Sequence, residues 1–246
     1  MKEILKNGFD SLQIPFNEKQ ILQLEEYAKL LTEWNEKINL TAIIEPNEIA
    51  TKHFLDSATA LCTGMVQGRV IDVGTGAGFP GLVLKIMKPE IKLTLLDSLN
   101  KRLNFLREVT EQLGIDGVEF IHSRAEDGGH KKELREGFDT VVSRAVAQLP
   151  LLSELCIPYV KQGGTFLALK GPAADEEIAA AKRAITILGG DTPGVYNASI
   201  PGTELEHKIV IIKKVRHTPV KFPRKPGLIT KSPIETCYNI PKKTAK

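Results

Sequence analysis

The stretch Asp72-Val73-Gly74-Thr75-Gly76-Ala77-Gly78 constrains this 246-residue chain more than any other. The short apolar run Arg69–Val73 leads into it, and the apolar segment Gly81–Met87 follows. A strand, a glycine-rich turn and a helix in that order bring backbone close to whatever fills the turn, because glycine has no Cβ and accepts positive φ. Two overlapping patterns can be read in the turn. Gly76-x-Gly78-x-x-Gly81 has dinucleotide spacing, which alone is weak evidence. Asp72-x-Gly74-x-Gly76-x-Gly78 places an acid ahead of the glycines.

Around the turn the sequence alternates between strand-like and helix-like segments. Extended runs are expected at Arg69–Val73, 91–96, Val118–His122, 138–143 and 164–169, with helices at Gly81–Met87, 101–113, 150–160 and 175–188. Alternation at this spacing predicts a parallel sheet with right-handed crossovers. The runs 196–200 and 208–215 are separated by a few residues that include Pro201-Gly202, too few for a crossover helix, so an antiparallel hairpin is expected. Upstream, Asn17 and Gln20 have capping-box spacing. Ile21, Leu24, Tyr27, Ala28, Leu31, Trp34 and Ile38 then share one helical face, read as packing surface. A second helix is expected from Glu45 or Pro46 through Cys62, stopped by Gly64. The expected fold class is α/β: a Rossmann-like, mostly parallel seven-stranded sheet with an antiparallel last strand, plus an N-terminal helical extension. The divisions are 1–63 for the extension, 64–216 for the sheet domain and 217–246 for a basic, proline-rich tail.

Composition excludes several alternatives. Hydrophobic content of 42% and charged content of 26% are those of an ordinary globular protein. The longest charge-free stretches, for example 57–68 and 73–84, hold 12 residues each, short of the ~20 that a membrane span needs. With no signal-peptide pattern at the N-terminus, a cytosolic protein without a membrane partner is expected. Cys62, Cys156 and Cys237 form no Cys-x-x-Cys pair, so no zinc knuckle or redox dithiol is expected, and no metal. Charge is uneven. Residues 213–246 carry ten Lys or Arg and one acid, for +9, while the remainder has 23 basic and 29 acidic residues, for −6. Such a tail suits nucleic-acid phosphates, or is simply a solvated terminus.

Three features favour S-adenosylmethionine over a dinucleotide in the glycine turn. Asp72 can orient the cofactor's amino group, whereas it would repel a pyrophosphate. Asp97, ending the next strand, offers two acceptor oxygens to ribose hydroxyls; NAD sites use the same acid, and a cap on the helix near Asn100 is the other reading. The closing hairpin matches the reversed last strand of the methyltransferase version of this sheet. An arginine at the carboxyl end of a central strand, Arg144, lies where such sheets bind ligands, or forms a structural ion pair.

Residues 72–81, Leu96-Asp97-Ser98-Leu99-Asn100-Lys101-Arg102 and Ser143-Arg144-Ala145-Val146-Ala147 together resemble the RsmG (formerly GidB) family. Its members are bacterial methyltransferases that modify guanine N7 in 16S ribosomal RNA. Trp34-Asn35, Asn39-Leu40-Thr41 and His53-Phe54-Leu55-Asp56-Ser57 are similar to the family's N-terminal signature. Phe222-Pro223-Arg224-Lys225-Pro226-Gly227 resembles its closing basic motif, with Phe where Tyr is commoner. The resemblance runs from about residue 27 to 233. It implies that 64–216 is a class I, S-adenosylmethionine-binding methyltransferase domain. Cofactor contacts are implied at Asp72, Gly74, Gly76, Gly78, Phe79, Asp97, Ser98, Leu99, Ala125, Glu126 and Arg144, with Arg144 beside the transferred methyl as the catalytic residue. It also implies 16S rRNA or the small ribosomal subunit as partner; a monomer is expected.

The strand-end chemistry agrees. Guanine N7 already carries an exposed lone pair, so methylation needs no general base. Ser143-Arg144-Ala145 lacks the Asn/Asp-Pro-Pro-aromatic loop of amino-group methylation, and no Pro-Cys pair supplies a thiolate. His53 and Asp56, three apart on a helix, are read as a helix-face hydrogen bond bracing the N-terminal segment. Lys170 is read as a phosphate contact or a solvated side chain. Lys221, Arg224, Lys225 and Lys231 are the expected RNA contacts, on a tail kept extended by its prolines. The rival readings are an NAD-dependent oxidoreductase, a methyltransferase with another substrate, and a non-catalytic ribosome-assembly RNA-binding protein.

Overall fold

The structure, a computed structural model, describes residues 1–234. Cys237, Glu235 and the end of the tail through Lys246 lie outside the described residues. Seven strands form one sheet: β1 (Arg69–Val73), β2 (Lys92–Asp97), β3 (Val118–His122), β4 (Phe138–Arg144), β5 (Val160–Lys170), β6 (Gly194–Ser199) and β7 (Glu206–Lys213), in the order β3-β2-β1-β4-β5-β7-β6. β1 to β5 pair in parallel, and β7 runs antiparallel to both β5 and β6. The expected hairpin is therefore present, and its second strand inserts between β5 and its first.

Alternation along the strands divides the core in two. Val70, Leu167 and Ile209 face one apolar cluster; Ile71, Val73, Phe166, Ala168 and Val210 face the other. The N-terminal helices, α1 (Lys2–Ser11) and α2 (Glu18–Ile38), contribute Leu5, Phe9, Ile21, Leu24, Tyr27 and Leu31 to the first cluster. They share that core with the sheet. α2 starts at the expected capping box: Gln20 N donates to Asn17 Oδ1 at 3.0 Å, and Asn17 N to Gln20 Oε1 at 2.8 Å. The expected second helix is present over 46–63 but is not one regular helix. It runs as α3 (Pro46–Glu48), a π-helical turn (Ile49–Leu55), α4 (Asp56–Ala58) and a 3₁₀ turn (Thr59–Thr63), ending at Gly64 with φ +68°.

On the sheet, α5 (Gly81–Met87), α6 (Asn100–Gln112), α7 (Ala125–Gly128), α8 (Leu149–Cys156) and α9 (Ala174–Leu188) make or follow the crossovers. The helix expected over 150–160 stops earlier, because Pro158 interrupts it and Val160 already belongs to β5. Through residue 234 the tail is neither simply solvated, one of the two readings given to it, nor extended throughout, as its prolines suggested. It carries α10 (Pro226–Lys231) and buries Thr218, Phe222 and Ile229. Arg135 holds it down by donating to the carbonyls of Thr218 (2.8 Å) and Phe222 (2.7 Å). No helix among the described residues is long and apolar enough to cross a membrane.

Candidate active site

A cavity of about 530 Å³ opens at the carboxyl ends of β1, β2, β3 and β4. β1 and β4 are neighbours from which the chain proceeds to opposite sides, the point where open α/β sheets bind ligands. The floor is the glycine turn, and its conformation follows from its residues. Gly74, Gly76 and Gly78 take φ values of +73°, +59° and +96°. Most N–H groups of the turn are taken up by the protein: Gly74 N and Thr75 N donate to Leu96 O, Gly78 N and Phe79 N to Thr75 O, and Gly76 N to Asp97 Oδ2. Tyr27 Oη on α2 donates to Ala77 O from behind.

Asp72 is fully buried beneath this turn and does not line the cavity. Its Oδ2 accepts from Thr75 Oγ1 (2.7 Å) and from Gly81 N at the start of α5 (2.9 Å). A helix start ordinarily offers free N–H groups to an anion; Asp72 supplies that anion internally. Its Oδ1 has no hydrogen-bond partner. Burial outweighs these bonds and pushes the carboxyl up to about 6. Gly78 also lies behind the floor, where a Cβ would stand 2.2 Å from Tyr27 Oη. Gly74, Gly76 and Phe79 line the cavity as expected.

Asp97 combines both readings given to it. It lines the cavity, and its Oδ1 accepts from Leu99 N (2.8 Å) just ahead of α6, while Oδ2 also faces Arg102 Nη1 at 3.4 Å. Ser98 is at the rim. The Leu99 side chain is exposed and off the cavity wall, and its backbone N–H is the one that donates to Asp97. Ala125 and Glu126 form the wall beyond β3, and Tyr159 Oη donates to Ala125 O at 2.6 Å.

Arg144 projects from the end of β4 into the far side, and the turn after it is sharp enough to put Ala145 at φ +56°. Its guanidinium donates from Nη1 to Asp56 Oδ2 (2.6 Å) and Lys52 O (3.2 Å), and from Nη2 to His53 Nδ1 (3.2 Å). It stands 5.1 Å from the Phe79 ring centre, and His53 stacks on that ring at 4.5 Å. His53 and Asp56 therefore do not bond to each other along a helix face, as the sequence suggested. The π turn directs both onto Arg144. Arginine only donates, so His53 Nδ1 accepts, and Nε2–H donates to Thr41 Oγ1 at 2.8 Å. Burial, reinforced by the Arg144 charge, lowers His53 to about 4, so it is neutral at physiological pH. Both ring nitrogens are engaged. Thr41 in turn is placed by Asn35, whose Oδ1 accepts from Leu40 N and Thr41 N.

Other expected contacts are redirected. Lys170 is neither solvated nor free, since it pairs with Glu177 (2.6 Å) and donates to Ala147 O. Arg224 is not a free phosphate contact either. Its backbone N, Nε and Nη2 all donate to Glu154, at 2.7 to 3.1 Å, and that carboxylate is 1% exposed. Lys221, Lys225 and Lys231 are exposed. The sequence reading missed Leu40, Thr41, Arg124 and Val146 as cavity residues, and His207, whose Nδ1 lies 2.8 Å from Asp56 Oδ1. No cluster of three or more metal-ligating side chains occurs among the described residues.

The sheet order and this strand-end cavity define a Rossmann-like protein of the methyltransferase type. A crystal structure of a Klebsiella pneumoniae protein assigned as an O-methyltransferase shares the fold, with TM-score 0.53 and 14% identity over 86% of this chain and 96% of that one. The family model of rRNA small subunit methyltransferase G (GidB) matches residues 20–202. The ribosomal RNA small subunit methyltransferase G of Clostridium perfringens is 53% identical over 95% of this chain and 98% of its own, and that of Alkaliphilus metalliredigens is 48% identical over 95% and 99%. The chain belongs to the GidB family of small-subunit rRNA methyltransferases.

Proposed function

We propose that this protein transfers the methyl group of S-adenosylmethionine to N7 of a guanine in 16S rRNA. The observation that carries the cofactor assignment is the glycine turn. The N–H groups of Gly74, Thr75, Gly76, Gly78 and Phe79 and the first N–H of α5 are spent internally, so the turn offers no ring of free N–H groups to cradle a phosphate, and the carboxylate beneath it has an unpartnered oxygen. That field suits a cationic ligand and opposes a pyrophosphate, which disfavours the NAD reading. Asp97 would take the ribose, and Ala125 and Glu126 the adenine side. The cofactor supplies an electrophilic sulfonium methyl.

The engagement of His53 supports N7 as nucleophile. The histidine beside Arg144 has neither nitrogen free to accept a proton. A nucleophile that must lose a proton is poorly served here, whereas N7 attacks with a lone pair already present. Transfer to N7 would leave the purine cationic and would require no residue here to move a proton. Arg144 has five N–H donors and three acceptors around it, so donors remain for the O6 acceptor beside N7. Its charge is offset by Asp56, so a purine becoming cationic does not meet an uncompensated arginine.

Nucleoside mass spectrometry of 16S RNA, naked and in 30S particles, after incubation with the protein and labelled S-adenosylmethionine tests this. The expected product is 7-methylguanosine; its absence from both, with cofactor binding intact, overturns the assignment and favours an assembly factor.

Two further outcomes are expected. Asp72 in the free protein titrates at about 6, and a cationic ligand favours its ionised form, so cofactor affinity rises as pH increases from 5 to 7. His53, at about 4, stays neutral across that window. Calorimetric titrations should show this rise in the native protein and a flat profile in Asp72→Asn. Separately, neutralising Lys221, Lys225 and Lys231 should weaken RNA binding and reduce the salt slope by about one for each phosphate that is no longer neutralised. Cofactor affinity measured alongside should not change.

A further inference from the structure

His207 stands on β7, opposite Ala198 of β6, and is not part of the cavity wall. It nevertheless reaches the cavity through one intermediary. His207 Nδ1 lies 2.8 Å from Asp56 Oδ1, and Asp56 Oδ2 accepts from Arg144 Nη1 at 2.6 Å. The side chains are 28%, 3% and 14% exposed in that order, so the series runs from the rim of the molecule to the end of β4. Asp56 is held in its ionised form. Burial opposes ionisation, but the His207 hydrogen bond and the Arg144 charge outweigh it.

A carboxylate held at one oxygen can still turn about its Cβ–Cγ bond. Held at both, its plane is fixed, and a planar guanidinium hydrogen-bonded to it is fixed as well. The remaining Arg144 hydrogen bonds, to Lys52 O and His53 Nδ1, go to the same short segment as Asp56. His207 ties that segment's carboxylate to the sheet. We propose that His207 is a positioning residue for methyl transfer: by pinning Asp56 it sets the plane of the Arg144 guanidinium. The proposal rests on reading the cavity as the methyl-transfer site.

The test compares His207→Leu with His207→Asn. Leucine keeps bulk and has no donor, while the asparagine amide nitrogen occupies the place of Nδ1 and can still donate to Asp56. Rates of 7-methylguanosine formation are measured with 30S particles and S-adenosylmethionine both saturating, together with cofactor affinity and melting temperature. His207→Leu is expected to lower the rate about tenfold, the scale of a sub-ångström misplacement of a substrate-orienting group, with cofactor affinity within twofold of the native protein. His207→Asn is expected to recover most of the rate. A native rate in His207→Leu overturns the proposal. So does equal impairment of the two variants, or a rate loss that merely follows lost cofactor affinity. Native protein that forms no 7-methylguanosine overturns the functional reading itself, and that is seen before any variant is compared.

Discussion

Arg144→Ala is expected to be both unstable and nearly inert, and the two effects have separate origins. Asp56 is 3% exposed and has His207 and Arg144 as its partners. Removing the arginine takes away the counter-charge of a buried carboxylate and leaves it His207 alone of the two, which costs about 3–5 kcal/mol in stability. If Arg144 orients the base as proposed, its loss should lower turnover by about a hundredfold or more, since misplacement by an ångström already costs that much. Arg144→Lys separates the two. It keeps a positive charge for Asp56, so most of the stability should return, but an ammonium cannot span Asp56, the Lys52 carbonyl and His53 as the planar fork does. Turnover should remain low. Urea unfolding and single-turnover rates on the two variants check this; native turnover in Arg144→Lys would mean that only the charge matters.

Arg224→Met is expected to cost a similar amount, about 3–5 kcal/mol, because it leaves the buried Glu154 carboxylate without its counter-charge, with only the backbone N–H of residue 224 still donating to it. Glu154→Met should cost less, since Arg224 is part exposed and can turn to water. The double variant should recover much of the loss, as replacing a buried ion pair with packed apolar groups often does. The same three proteins decide what Arg224 does for RNA. If it serves to fasten the tail, RNA affinity of the double variant should match the native protein. If it touches phosphate, the double variant should stay weak and show a smaller salt slope.

What the sequence disclosed, and what it concealed, followed from the range of the interactions. Asn17 and Gln20 are three residues apart, and their reciprocal bonds can be read from that spacing. Val118–His122, the glycine turn and the reversed hairpin are likewise local patterns. The assignments around Arg144 were harder, because its partners lie far off in the chain: Asp56 is 88 residues from Arg144, and His207 is 151 from Asp56. No spacing rule joins such residues; only folding does. The π turn at Ile49–Leu55 was invisible for another reason, since its apolar pattern is that of an ordinary helix while its backbone re-aims His53 and Asp56. α1 escaped notice because Gly8 sits within it and its buried face is short, Leu5, Gly8 and Phe9. Charge misled most in the tail. Lys214 and Arg224 count toward its basic excess, yet Lys214 is 1% exposed among the Ile157 and Val160 carbonyls, and Arg224 belongs to Glu154.

The order β5-β7-β6 also bears on how the chain can be made. β5 is complete at Lys170, but the strand that covers its open edge, β7, begins only at Glu206. β6 is synthesised in between and must not take that place. Until β7 arrives, β5 presents Phe166, Leu167, Ala168 and Leu169 beside an unpaired backbone edge, a template for another chain. The hairpin must therefore close before or as it docks, within the few seconds that ribosomes at roughly 5–20 residues per second need to complete it. A chain ended before residue 206 would carry that edge permanently and should aggregate rather than survive as a smaller enzyme.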